Sequence, residues 1–120
     1  MANEIPRRGF LQSAGAVAAA GFLPGAQAPA ETPVRIGIVG VGNRGTSLLK
    51  NLLDLPGVEV PALCDINEEH LRRAQSIVEK AGAKPAAGYQ SGVEDFRRLV
   101  ERSDLDAVLT ATPWQWHTPV

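Results

Sequence analysis

Val34-Arg35-Ile36-Gly37-Ile38-Val39-Gly40-Val41-Gly42-Asn43-Arg44-Gly45 decides the fold. The first half is short, β-branched and apolar, as expected of a strand buried on both faces of a parallel sheet. The second half is a G-x-G-x-x-G turn. After it, Leu48, Leu49, Leu52 and Leu53 recur at helical spacing until Pro56-Gly57 stops the helix. Strand, glycine turn and helix in this order form the setting in which such a turn holds a dinucleotide. Gly40 permits the tight turn, Gly42 leaves the path of a pyrophosphate clear, and Gly45 lets helix and strand pack closely. The N–H groups and dipole at the helix start favour phosphate charge.

Downstream, Val58 to Cys64 reads as a second strand, and Asp65 follows it, 20 residues after Gly45. A carboxylate there accepts hydrogen bonds from both hydroxyls of an adenosine ribose, each worth about 1.5–3 kcal/mol. A 2′-phosphate would meet a like charge, so NAD is preferred to NADP. Two other readings stand beside this one. A glycine turn can coexist with an Asp that merely caps a helix, and methyltransferases also place an acid after strand two, with a different glycine loop. For Arg44, a pyrophosphate contact and a solvated position are both open.

Asn67 can cap a helix whose apolar positions Leu71, Ala74, Val78 and Ala81 share a face. A short strand is expected around Ala86 to Tyr89. Ser91 and Glu94 have capping-box spacing before a third helix that carries Val93, Phe96 and Val100, with Arg97, Arg98 and Arg102 on its solvated face. Asp106 to Thr110 forms the last strand. Pro61 inside strand two removes a ladder donor, which calls for a bulge or an N–H facing away from a partner. Alternating strands and helices imply an α/β fold, part of a doubly wound parallel sheet.

Composition agrees. The chain has 120 residues, 12 basic and 13 acidic, 44% hydrophobic and 21% charged. This excludes an electrostatic nucleic-acid binder and global disorder. Cys64 is the one cysteine, so there is no internal disulfide and no Cys-only metal site. It reads as a small buried hydrophobe. His70 reads as an exposed helix residue, and Tyr89 packs at a sheet edge.

Residues 1–30 differ in kind. After Arg7-Arg8 no charge occurs before Glu31, and Ala and Gly dominate. Two small-residue sites, Ala26-Gln27-Ala28 and Ala28-Pro29-Ala30, suit a signal peptidase, and Pro29 disfavours the first, so cleavage after Ala30 is expected. Arg7-Arg8-Gly9-Phe10-Leu11 resembles a twin-arginine signal, with Pro6 and Gln12 departing from the usual pattern. An ordinary secretory signal or a retained membrane anchor is the alternative. The expected partner is the twin-arginine export machinery and the expected location periplasmic or extracellular. Removing Arg7, Arg8 and Glu4 leaves 10 basic and 12 acidic residues in the remainder.

The chain ends in Ala111-Thr112-Pro113-Trp114-Gln115-Trp116-His117-Thr118-Pro119-Val120. This segment follows strand four at the carboxyl edge, where doubly wound sheets bind ligands. Trp114 and Trp116 could flank a flat ring and His117 could donate to a ribose or carboxamide. Alternatively, both tryptophans cover a core.

Together the stretch from Val34 to Gly45, the Cys64-Asp65 strand end, and Asp106 to Pro113 with His117 resemble the Gfo/Idh/MocA oxidoreductases. The resemblance spans residues 33–120. It implies the N-terminal part of an NAD-binding Rossmann domain, with a C-terminal α/β substrate domain and a Glu-Lys-Pro segment expected beyond Val120. Trp114-Gln115-Trp116-His117 is similar to the family's NAD-dependent glycosidase branch, typified by α-N-acetylgalactosaminidases. By that resemblance Gly40, Gly42, Asn43, Arg44, Gly45 and Asp65 contact the cofactor, as do Thr112, Pro113, Trp114, Gln115, Trp116 and His117. No catalytic residue and no metal ligand carry over. The implied substrate is a sugar or sugar derivative, and any homo-oligomer would form through the C-terminal domain. A dehydrogenase would pass hydride from a sugar carbon to NAD. A glycosidase would oxidise C3 transiently, eliminate the glycosidic bond and return the hydride. A third expectation is a non-catalytic nucleotide-binding fragment, marginally stable by itself.

Overall fold

A computed structural model describes residues 31–120, so the expected signal over residues 1–30 lies outside the described residues. Four parallel strands form one sheet: β1 (Val34–Val39), β2 (Val58–Cys64), β3 (Ala87–Tyr89) and β4 (Ala107–Thr110), in the order β3-β2-β1-β4. Three helices intervene: α1 (Asn43–Leu53), α2 (Glu68–Lys80) and α3 (Phe96–Val100). A 3-10 turn covers Trp114–Trp116. The order turns back beside β1. Strands β2 and β3 run out on one side of it and β4 lies on the other, so the carboxyl ends of β1 and β4 open a crevice.

The apolar alternation of the strands divides the core in two. Ile38 and Leu63 pack with Leu49, Leu71, Ala74 and Val78 beneath α1 and α2. Their neighbours Val39 and Cys64 face the opposite side, with Phe96 and Leu99 of α3. Pro61 explains an apparent breach of that period. Val60 joins the first cluster and Ala62 the second, although residues two apart on a regular strand share a face. Between the pairs Arg35–Glu59 and Gly37–Ala62, strand β2 carries one residue more than β1. The extra residue is a bulge, and it holds the proline at the position where no ladder donor is needed.

Four local expectations change. Ser91 and Glu94 form no capping box. Instead Asp95 is buried, its Oδ2 accepts the Ser91 N–H (2.7 Å), and Arg98 pairs with its carboxylate. Val93 and Val100 are exposed, and Leu99 takes the core position beside Phe96. Arg102 is not on a solvated helix face, because α3 ends at Val100. Its guanidinium turns inward to donate to Asp104 (2.7 and 2.8 Å) and to the Tyr89 hydroxyl (3.2 Å). The last strand begins at Ala107 rather than Asp106, whose Oδ2 instead accepts the Arg35 N–H at 2.8 Å.

Candidate functional site

The glycine turn is built by two different demands. Gly40 has φ +90°, and a Cβ there would stand 2.9 Å from the backbone of Ala111. A Cβ on Gly45 would lie 1.9 Å from the Gly40 carbonyl oxygen. The protein itself therefore requires glycine at both positions. Gly42 is another case. Its φ is −68°, open to any residue, and a Cβ would meet nothing nearer than the His70 ring at 3.7 Å. Nothing in the fold forbids a side chain at Gly42. The empty space in front of it is what a pyrophosphate needs. Gly42 also caps α1 without offering a side-chain acceptor, so the first-turn N–H groups keep their capacity for an anion.

Asp65 ties this turn to β2. Oδ2 accepts the Val41 N–H and Oδ1 accepts the Asn67 N–H, both at 2.8 Å. A carboxylate has about four acceptor sites, so each oxygen can still take a ribose hydroxyl. The same residue shapes the loop and presents the acid, which is why it stands at the strand end.

Between these groups lies a cavity of about 370 Å³. Gly40, Gly42, Asp65, Thr112, Pro113 and Trp116 line it, joined by residues that sequence reasoning did not assign to it: Ile66, Val93, Phe96 and His70. His70 is not simply exposed. Its Nδ1 lies 3.6 Å from Asp65 Oδ2. The available signal was its place on the first helical turn after a capping Asn67, which returns that turn toward the strand end. Ile66 and Val93 are large apolar side chains left 66% and 56% exposed at the cavity wall.

The terminal motif divides. Trp116 lines the cavity and packs edge-on against Phe96, with ring centroids 6.2 Å apart. Trp114 is 90% exposed and stacks on His117 at 5.7 Å, away from the cavity lining. The two indoles therefore do not flank one ring across this cavity. His117 Nε2 donates to the Thr112 carbonyl oxygen at 2.8 Å, which pins the turn. Asn43, Arg44 and Gln115 also lie outside the lining, and Asn43 and Arg44 are exposed on the first turn of α1. Cys64 is buried in the cavity floor. Burial, then the charges of Asp95 and Asp65, push its thiol up to about 11, so it is held as the unreactive thiol.

A parallel sheet in this order, a glycine turn opening the first helix and an acid at the end of the second strand define a dinucleotide-binding Rossmann domain. Residues 34–120 match the Gfo/Idh/MocA model, described as an oxidoreductase family with an NAD-binding Rossmann fold. The chain belongs to that family, and its cofactor is NAD. It is 46% identical over 91 residues to a glycosyl hydrolase family 109 protein of Saccharopolyspora erythraea, covering 76% of this chain and 20% of that protein. It is 42% identical over 87 residues to an alpha-N-acetylgalactosaminidase of Bacteroides fragilis, covering 72% and 20%. Among solved structures, the myo-inositol dehydrogenase of Lactobacillus casei in complex with NAD(H) and myo-inositol superposes with a TM-score of 0.54. The identity there is 30%, over 67% of this chain and 22% of that one. The chain thus spans about a fifth to a third of the length of the curated relatives it matches.

Proposed function

We propose that residues 31–120 are the N-terminal part of the NAD-binding domain of an exported enzyme acting on a sugar derivative, and that residues 1–30 are its twin-arginine signal. The observation that carries the cofactor reading is the clear space at Gly42 beside the two-handed Asp65. In this reading Asp65 orients the adenosine ribose while the first turn of α1 receives the pyrophosphate. Thr112, Pro113 and Trp116 wall the cavity from the β4 side. Bound NAD supplies a hydride acceptor that can also return the hydride.

Two activities share such a module: a dehydrogenase that releases an oxidised sugar, and a glycosidase that uses NAD without net consumption. Identities of 46% and 42% to proteins named as glycosidases, against 30% to a dehydrogenase, favour the glycosidase. An enzyme that keeps its NAD also suits a compartment where free NAD is scarce, and folded export through the twin-arginine route lets the cofactor travel inside it.

The test is to purify the whole gene product, denature a portion and assay the NAD released. The rest is incubated with an aryl N-acetyl-α-galactosaminide without added NAD. We expect close to one NAD per chain and sustained hydrolysis. A requirement for fresh NAD at every turnover, with an oxidised sugar as product, would establish the dehydrogenase instead. Replacing Arg7-Arg8 by two lysines should hold the protein in the cytoplasm. Unchanged export of that variant would point to the general secretory route.

A further inference from the structure

His70 stands in the first turn of α2, where Asn67 Oδ1 accepts the N–H groups of Glu69 (2.9 Å) and His70 (3.2 Å). This cap fixes where the helix begins and so places position 70 over the end of β2. From there Nδ1 comes within 3.6 Å of Asp65 Oδ2, too far for a good hydrogen bond. The same edge of the ring faces the glycine turn, with Nδ1 and Cε1 at 3.7 and 3.8 Å from the Cβ position at Gly42. Among the described residues neither ring nitrogen makes a hydrogen bond, and the side chain lines the cavity. One imidazole thus lies beside both the carboxylate offered to a ribose and the glycine left clear for a pyrophosphate, with Nδ1 near both and Nε2 unpartnered.

We propose that His70 is a cofactor-contacting residue, with one ring nitrogen turned to Asp65 and the other engaging the phosphate next to the adenosine ribose. This rests on the NAD reading above and extends it to a residue outside the glycine turn. Imidazole suits that place because it can satisfy an acceptor on each side at once when both nitrogens carry protons. In that state it adds a charge-assisted hydrogen bond to an anionic ligand, and in the neutral state only an ordinary one. The other titratable side chains of the cavity are Asp65 and the protonated Cys64 thiol. Arg44 on α1 and Glu69 and Arg73 on α2 are exposed to solvent. The charge that faces His70 closely is thus the Asp65 carboxylate, and the position for a second anion is the space at Gly42.

The experiment is calorimetric titration of NAD, and of adenosine as a probe without phosphate, into the whole gene product freed of its bound NAD and into its His70→Ala and His70→Gln variants treated the same way. Loss of one hydrogen bond to a charged group corresponds to about a tenfold weakening. We expect His70→Ala to lose about that factor for NAD and little for adenosine. His70→Gln, whose amide can still donate a hydrogen bond, should recover part of the loss. Equal NAD affinity in all three proteins would overturn the assignment. So would an equal loss for NAD and adenosine, which marks a packing role. Failure of the unmutated protein to bind NAD at all would instead overturn the cofactor reading on which the assignment rests.

Discussion

The two edges of the sheet each hold a cavity, and the larger one is not the candidate site. At the amino edge a cavity of about 510 Å³ lies among Arg35, Glu59, Lys84 and Arg102, against about 370 Å³ at the carboxyl edge. The amino edge is also the more charged, but its charged groups face opposite charges, with Arg35 Nε the one buried side-chain polar atom among the described residues without a hydrogen-bond partner. Lys84 and Arg35 approach Glu59 at 3.9 and 3.7 Å, Arg35 reaches Asp104 at 3.2 Å, and Arg102 closes the chain on Asp104 at 2.7 Å. At the carboxyl edge the polar groups are left with capacity: a helix start with no side-chain cap, a carboxylate accepting one N–H per oxygen, a glycine facing open space. Unused bonding capacity marks a ligand site, whereas volume and charge alone do not.

The sharpest way to break this contrast lies within the glycine turn. Gly45→Ala puts a methyl 1.9 Å from the Gly40 carbonyl, and backbone cannot yield cheaply. We expect a loss of about 3 kcal/mol or more, seen as a collapsed melting temperature. Gly42→Ala should leave the melt unchanged, since no protein atom opposes it within 3.7 Å, while NAD binding falls at least tenfold by calorimetry. If Gly42→Ala melts as badly as Gly45→Ala, the demand for glycine at position 42 belongs to the fold and not to the ligand.

Asp65→Asn sharpens the same distinction with a smaller effect. The amide oxygen can keep one of the two backbone N–H groups, so the fold should lose about 1 kcal/mol. Each ribose hydrogen bond to a charge is worth about 1.5–3 kcal/mol, so NAD affinity should drop roughly tenfold to a hundredfold. The NADP-to-NAD preference should rise, because the like charge opposing a 2′-phosphate is gone. Unchanged discrimination in a binding assay would remove Asp65 from the ribose.

What could be read without coordinates follows from the range of the interactions. The strand–turn–helix unit, the Asn67 cap and Asp65 depend on local chemistry, and residues 34–67 show it in their own order. Pro61 left a bulge or an outward N–H position open, because a missing N–H restricts the ladder at a single residue, and the register shift shows the bulge. The rest depends on contacts made across the sheet. Arg102 meets Tyr89 across 13 positions, His70 meets Gly42 through the packing of two helices, and Trp116 is drawn to the cavity by Phe96 while Trp114 is not. Neighbouring tryptophans of identical chemistry were thus separated by tertiary packing alone.

The amino edge should respond to pH and not to cofactor. Arg102, and less directly Arg35, hold the Asp104 carboxyl down at about 2. A carboxyl lowered in the folded state contributes stability in full above its unfolded value of about 3.9, and that stability is lost as pH falls toward 2. Asp95, held at about 2 chiefly by its hydrogen bond from Arg98, adds to the same window. Melting temperatures should therefore be flat near neutrality and fall between about pH 4 and 2. Asp104→Asn should flatten part of that fall with NAD affinity at pH 7 unaltered. Weaker NAD binding in this variant would mean that the two edges are coupled.

The smallest effect belongs to Cys64, which belongs to the carboxyl edge by position and to the core by chemistry. It lines the cavity beside Asp65, yet burial and the neighbouring carboxylates hold its thiol up at about 11. A thiol raised that far is almost wholly protonated at neutral pH and is a poor nucleophile. Cys64→Ala should cost about 1 kcal/mol or less of packing and leave NAD binding intact. A thiol reagent at neutral pH should react only after denaturant is added. Rapid labelling of the native chain, slowed by NAD, would show that solvent reaches the cavity floor. Cys64 would then count among the groups with unused capacity, and the line drawn here between site and core would have to pass beneath it.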